Sequence, residues 1–134
     1  MFLQPKKVKY KKIRKGSLLK KEFRSIKLKK GTVGLKAAES GIITSRQIEA
    51  ARRAVTRKIK RMGKVWLNIF PAIPITKKPA ETRMGKGKGS IHHWAVRIKG
   101  GHVLIEICGI PIKKAIIAFR TGGSKLPIKT LIIT

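Results

Sequence analysis

Between Thr44 and Gly63 the chain places Ile48, Ala51, Val55, Ile59 and Met62 at intervals of 3, 4, 4 and 3. That spacing marks one face of an α-helix, so the segment is predicted to bury a single apolar stripe. Thr44 stands in the N-cap position, and Gln47 three residues on completes a capping box. Gly63 is predicted to stop the helix as a left-handed C-terminal residue. The other faces hold Arg46, Arg52, Arg53, Arg57, Lys58, Lys60 and Arg61, with Glu49 as the acid among them. A solvated helix usually mixes signs to gain pairs one turn apart. Here Arg53–Arg57 and Arg57–Arg61 are like pairs four apart, each costing roughly 0.2–0.5 kcal/mol in isolation. A facing array of phosphates would reverse that sign.

The same imbalance runs through the whole chain. Its 134 residues carry 34 Lys and Arg against 5 acids, a formal net charge of +29. Self-repulsion on that scale opposes compaction unless a polyanion offsets it, and nucleic acid is the expected one. Hydrophobic residues nevertheless make up 42%, enough for a core and too many for a disordered tail. Aromatics, at 5%, are too few for serial base stacking along a single strand.

Other chemistries find little support. Cys108 is the single cysteine, which excludes an intramolecular disulfide and a cysteine-based zinc site. Between Ile107 and Gly109 it is expected to be a buried, inert thiol. Five scattered acids leave almost no general-base candidates, and no Ser–His–acid set can be assembled, so neither an enzyme nor a cofactor is expected. His92-His93 would point opposite ways on a strand, one ring toward a nucleic acid and one toward the core. No Cys or acid stands at ligand spacing from them, so no metal is expected. No apolar run approaches the 18 or so residues of a membrane-spanning helix. The start, Met1 to Pro5 followed by lysines, has neither the apolar stretch of a signal peptide nor the Arg-rich character of a mitochondrial presequence. The chain is therefore expected to be made in the compartment where it works.

Residues 1–30 hold 13 Lys or Arg, among them Lys6, Lys7, Lys9, Lys11 and Lys12, against Glu22 alone. Such a block is predicted to be a partly irregular arm lying on nucleic acid. Residues 31–134 are predicted to form one α+β domain. Short strands are expected at 25–28 and 32–37 and another at 65–70, with a long loop over 71–90. Residues 91–99 and 102–107 read as a hairpin about Gly100-Gly101. A second helix should begin near Pro111, bury Ile112, Ala115, Ile116 and Phe119, and weaken or end at Gly122-Gly123. A last strand is expected at 128–133.

Within the loop, Arg83-Met84-Gly85-Lys86-Gly87-Lys88-Gly89 is the most telling stretch. Glycine lets one backbone approach another, successive N–H groups can cradle an anion, and each lysine adds a point charge beside the approach. Lysine does not read a base edge as arginine does, so the loop should position rather than specify. A Walker A loop is excluded by the ending Gly89-Ser90, and a dinucleotide fingerprint by the strand, not helix, that is expected to follow. A nucleoid-type DNA architectural protein would share the charge, but no recognition helix or minor-groove wedge accompanies the arm. A membrane-active basic peptide is disfavoured by the narrow, alanine-containing apolar stripe.

Four segments together resemble a known family: Leu3-Gln4-Pro5-Lys6, Thr44–Arg57 (TSRQIEAARRAVTR), Pro74–Gly89 (PITKKPAETRMGKGKG) and Lys125–Thr130 (KLPIKT). They are similar, over essentially the whole chain, to bacterial-type large-subunit ribosomal protein sixteen. That resemblance implies an α/β-hammerhead-like fold, two helices on an antiparallel or mixed sheet. It implies binding of large-subunit rRNA near the peptidyl transferase centre, and help in shaping the region that holds tRNA in the aminoacyl and peptidyl sites. Other large-subunit proteins would be its neighbours, with no membrane and no homo-oligomer. Carried over, residues 83–89 and the arm lysines reach toward the tRNA sites, while Arg46, Arg52, Arg53 and Arg57, with Lys60 and Arg61 beyond, face rRNA. The start of the second helix, Pro111-Ile112-Lys113-Lys114, lacks the acids usual there, and Gly122-Gly123 replaces small helix formers. The Ile and Lys enrichment resembles AT-rich organelle genomes, so a mitochondrially encoded member is expected, with a plastid or a bacterial cytoplasm as alternatives.

Overall fold

In the computed structural model, which describes residues 3–14, 16–17 and 21–134, the elements run β1 (Val33–Ala37), β2 (Gly41–Thr44), α1 (Ser45–Lys58), β3 (Lys64–Leu67), β4 (Ile73–Thr76), β5 (Ile91–Ile98), β6 (Val103–Cys108), α2 (Ile112–Gly123) and β7 (Thr130–Ile133). The fold is α+β. One sheet has the order β3-β6-β1-β7 and the other β2-β5-β4. Every pairing is antiparallel. The two helices pack on each other, α1 against β2 and β5 and α2 against β1 and β7. Ile48, Val55, Phe119, Leu35, Ile98 and Ile105 lie in the shared core, none more than 1% exposed.

Helix α1 starts as its sequence requires. The Gln47 N–H donates to Thr44 Oγ1, and the Thr44 N–H donates to Gln47 Oε1. Ile48, Ala51, Val55 and Ile59 are buried, but Met62 is 45% exposed. The helix stops at Lys58, a turn before the expected Gly63. Lys60 and Arg61 already have φ of 52° and 62°, and Gly63 has φ 73°. Lys60 and Arg61 therefore lie beyond the helix rather than on its face. The early stop returns the chain to β3, and Gly63 backs directly onto the Cys108 carbonyl, where no side chain fits.

Helix α2 starts after Pro111 as expected, with no acid in its first turn and no side-chain cap. Its buried face is Ala115, Ala118, Phe119 and Gly122, while Ile112 is 52% exposed. The face is rotated from the expected one because the glycines are contact residues. Both stay helical to the last turn, and Gly122 faces Val55 and Ala51 of α1.

Three sequence expectations are corrected. Residues 91–99 and 102–107 are not a hairpin: β5 and β6 belong to different sheets, and Gly100-Gly101 carries the chain from one to the other. The apparent loop 71–90 contains β4, whose Pro74 is admissible because β4 is the edge strand of its sheet. Residues 25–28 form no strand. The segment 22–32 instead lies against the first sheet. The Glu22 N–H donates to the Gly100 carbonyl, Val103 to Ser25, and Thr32 to Ile107, while Leu28 packs on Gly34. Strand β6 is buried from Val103 to Ile107 under this cover and the helices.

Candidate nucleic-acid interface

The five acids of the chain are all Glu, and most of them serve the backbone. Glu22 accepts from the N–H groups of Phe23 and Arg24, and Glu39 from that of Lys129. Glu106, fully buried on β6, accepts from the N–H groups of Lys29, Lys30 and Gly31 and from the Asn68 side-chain amide. Burial pushes the Glu106 pKa up. The hydrogen bonds from Lys30, Gly31, Asn68 and Lys29 outweigh it, and the carboxyl ends below its ordinary value. Glu49 alone pairs with Lys or Arg side chains among the described residues, and Glu22 Oε2 lies 3.7 Å from His102 Nδ1. Arg52 Nη2 lies 2.8 Å and Arg53 Nε 2.9 Å from Glu49 Oε1. The Arg52 hydrogen bond, against the opposing effect of burial and with help from Arg53, holds Glu49 at about 2. The internal acids thus leave nearly all the cationic charge uncompensated.

Glu49 orients Arg52 and Arg53, with Arg53 the more exposed at 70% against 32% for Arg52. Arg46 and Arg57 are exposed on the same helix. Among the described residues, the non-glycine residues with positive φ are Lys60, Arg61 and Lys86, all basic and exposed. A long side chain in the left-handed region costs energy, and such strain concentrates where function requires a particular presentation.

Residues 83–88 are all exposed, and 89 is half-buried. Gly85, Lys86 and Gly87 are left-handed in succession, with φ of 94°, 52° and 78°, and open space surrounds both glycines where a Cβ would stand. Lys78 Nζ donates to the Gly85 carbonyl. The arm meets this loop directly. Lys12 Nζ donates to the Lys88 carbonyl at 2.8 Å, and Lys88 Nζ donates to the Ile13 carbonyl at 2.8 Å. Arg97 of β5 reaches the Arg14 carbonyl at 2.9 Å. Lys12 and Lys88 are thus brought together, whereas Lys6, Lys7, Lys9 and Lys11 are exposed along the arm.

His92 and His93 depart from expectation. Their rings meet, Nδ1 to Nδ1 at 2.8 Å and edge-to-face at 84°, instead of pointing to opposite faces. Burial first, then His92 and Arg46, push His93 below the ordinary imidazole pKa. Cys108 is half-buried.

The Glu49 fork was written in the sequence as an acid three and four residues before two arginines. Glu106 was legible only as an acid interrupting an apolar strand. The lysine–carbonyl clasp between arm and loop had no sequence signal, because its acceptors are backbone groups.

The family described as Ribosomal protein L16p/L10e matches residues 5–133. A "Large ribosomal subunit protein uL16" of Erythrobacter litoralis is 50% identical over 132 residues, spanning 98% of this chain and 92% of that protein. The protein of the same name in Parvibaculum lavamentivorans is 52% identical, over 96% of this chain and 93% of its own. That in Sulfurihydrogenibium is 52% identical, over 98% and 96%. With the family pattern running almost end to end and half the residues shared with these bacterial proteins, the chain belongs to the ribosomal protein L16p/L10e family.

Proposed function

We propose that this chain is a structural constituent of the large ribosomal subunit that binds large-subunit rRNA near the peptidyl transferase centre. The observation that carries the reading is the use of its acids. Glu22, Glu39 and Glu106 cap backbone N–H groups and Glu49 holds one arginine pair, so the cations are left for an external polyanion. Arg46, Arg52, Arg53 and Arg57 neutralise rRNA phosphates along α1, with Lys60 and Arg61 continuing the contact. The loop Arg83–Gly89 and the arm with Lys6, Lys7, Lys9, Lys11 and Lys12 extend toward tRNA in the aminoacyl and peptidyl sites. The clasp through Lys12 and Lys88 makes arm and loop one cationic front. Other large-subunit proteins are its neighbours, and its role is structural, in assembly and tRNA placement. The compartment is a ribosome, and the Ile and Lys enrichment favours one made inside a mitochondrion, with a plastid or a bacterial cytoplasm as the alternatives.

The test is binding of the purified chain to large-subunit rRNA as salt is raised. Roughly ten phosphate contacts lower affinity by about 10⁵ between 50 and 200 mM salt. A flat response refutes the reading, as does absence of the chain from large subunits isolated at low salt. A DNA duplex that displaces rRNA at equal phosphate concentration would favour the architectural DNA alternative.

A further inference from the structure

Beside the basic face of α1 lies a groove of about 480 Å³, bounded by the start of α1, the start of β5 and the Leu3–Gln4 segment. Its functional lining is Gln4, Arg46, Arg53, His92, His93 and Trp94. That volume lies within the range of sites that enclose a small organic ligand, roughly 300–1,000 Å³. The one acid in it, Glu49, is already bound to Arg52 and Arg53. Arg46 and Arg53 outweigh that acid by one charge, so the groove is net cationic, and three flat rings give it a surface for a planar group.

The histidine pair adds hydrogen-bonding character. An Nδ1···Nδ1 contact of 2.8 Å requires a proton on one of the two atoms. When both rings are neutral, the donor keeps an acceptor at Nε2 and the other ring keeps a donor at its own Nε2. A donor and an acceptor side by side are what the edge of a nucleobase pairs with. The ring edges therefore match a base, and the arginines match its phosphate.

We propose that this groove takes a single unstacked nucleotide of the RNA, with its phosphate on Arg46 and Arg53 and its base against His92, His93 and Trp94. The proposal rests on the reading of the chain as an rRNA binder and adds a site for an unpaired base to it. A paired duplex does not offer its bases to such a groove, whereas a bulge or loop does.

The chain has two tryptophans, Trp66 and Trp94. In the Trp66→Phe full-length chain, Trp94 alone reports on the groove by fluorescence. Three probes are titrated at about 150 mM salt: an adenosine oligoribonucleotide, a blunt RNA duplex, and adenosine monophosphate. The oligonucleotide is expected to quench Trp94, the duplex to bind without quenching, and the monophosphate to bind far more weakly. His92→Ala/His93→Ala should weaken the oligonucleotide roughly tenfold and leave the duplex within twofold, as loss of a base-stacking surface does. Arg46→Ala should weaken both RNAs. The quenching in the chain with both histidines intact needs no further variant and stands if the double variant misfolds, which far-UV circular dichroism reports. Equal quenching by duplex and oligonucleotide overturns the proposal, as does oligonucleotide binding that leaves Trp94 unchanged. So does a folded double variant of unaltered oligonucleotide affinity, or a monophosphate that binds as tightly as the oligonucleotide. If neither RNA binds, it is the rRNA reading itself that fails.

Discussion

Gly122 of α2 sits against Val55 of α1 so closely that a Cβ built on the glycine would lie 2.5 Å from Val55 Cγ2. Val55 is fully buried, and a β-branched side chain in a helix has essentially one χ1 rotamer, so it cannot swing away. Ordinarily alanine improves a helix over glycine by about 1 kcal/mol. Here the overpacking cost of roughly 1–3 kcal/mol exceeds that gain. Gly122→Ala should therefore lower stability by about 1 kcal/mol in a denaturant titration, and Gly122→Leu by considerably more. A stabilised Gly122→Ala chain would show that the helices are free to move apart.

Glu106 is a buried carboxylate with four donors around it, three of them the N–H groups of Lys29, Lys30 and Gly31. Glu106→Ala strands those donors, at a cost on the order of 3 kcal/mol. Glu106→Gln keeps the shape but turns an N–H₂ group toward donors, and should also destabilise. Both should speed trypsin cleavage at Lys29 and Lys30 relative to cleavage elsewhere. Cleavage and melting like those of the parent chain would mean that the carboxylate does not hold this segment.

Glu49, held at about 2, gives stability a definite pH dependence. Its folded pKa lies below the ordinary carboxylate value of 4.5, so its contribution is complete above about pH 4.5 and is lost as pH falls toward 2. Because Arg53 is largely solvated, the contribution is discounted to about 1–3 kcal/mol. Glu49→Gln should cost that much at pH 7, and the cost should fade as pH falls through about 2. Parallel pH–stability curves for the two chains would contradict this.

Lys86 and Lys88 are adjacent members of one motif with different surroundings. Lys88 Nζ holds the Ile13 carbonyl, whereas Lys86 has no hydrogen-bond partner among the described residues. Lys86→Ala should weaken rRNA binding and leave the arm in place. Lys88→Ala should weaken binding and also free the arm, seen as faster proteolysis at Lys11, Lys12 and Arg14. Equal proteolysis in the two variants would show that the clasp does not hold the arm.

Local signals were legible where one element contained both partners. The capping box of Thr44 and Gln47, the stripe from Ile48 to Ile59 and the start of α2 at Pro111 all depend on residues a turn apart. Most of what failed depends on partners distant in sequence. Gly100-Gly101 has the composition of a hairpin turn, yet only the pairing of β6 with β1 and β3 reveals that it joins two sheets. Gly122 reads as a helix breaker until Val55 is placed beside it. The arginines of the candidate interface were visible as a like-charged face, and the fork that aims two of them as an acid three and four residues before them. The meeting of the two imidazoles overrides the alternation of a regular strand.

Arg61 tests whether backbone strain is retained for presentation. With Lys60 it forms a consecutive left-handed pair of non-glycine residues, at φ 52° and 62°. Each L-residue in that conformation costs roughly 1–2 kcal/mol, and glycine avoids most of this. Glycine also gains entropy in the unfolded chain, about 0.5–1 kcal/mol, which offsets part of the relief. Arg61→Gly should therefore raise stability by about 0.5–1 kcal/mol, a small increase in Tm. If Arg61 meets a phosphate, the same substitution should weaken rRNA binding and reduce the log–log salt slope by about 1. A chain made more stable and a poorer RNA binder together is the expected signature, because the strain is then kept for the contact. Unchanged affinity with higher stability would remove Arg61 from the interface, and lower stability would show that the turn is held by contacts of the arginine side chain.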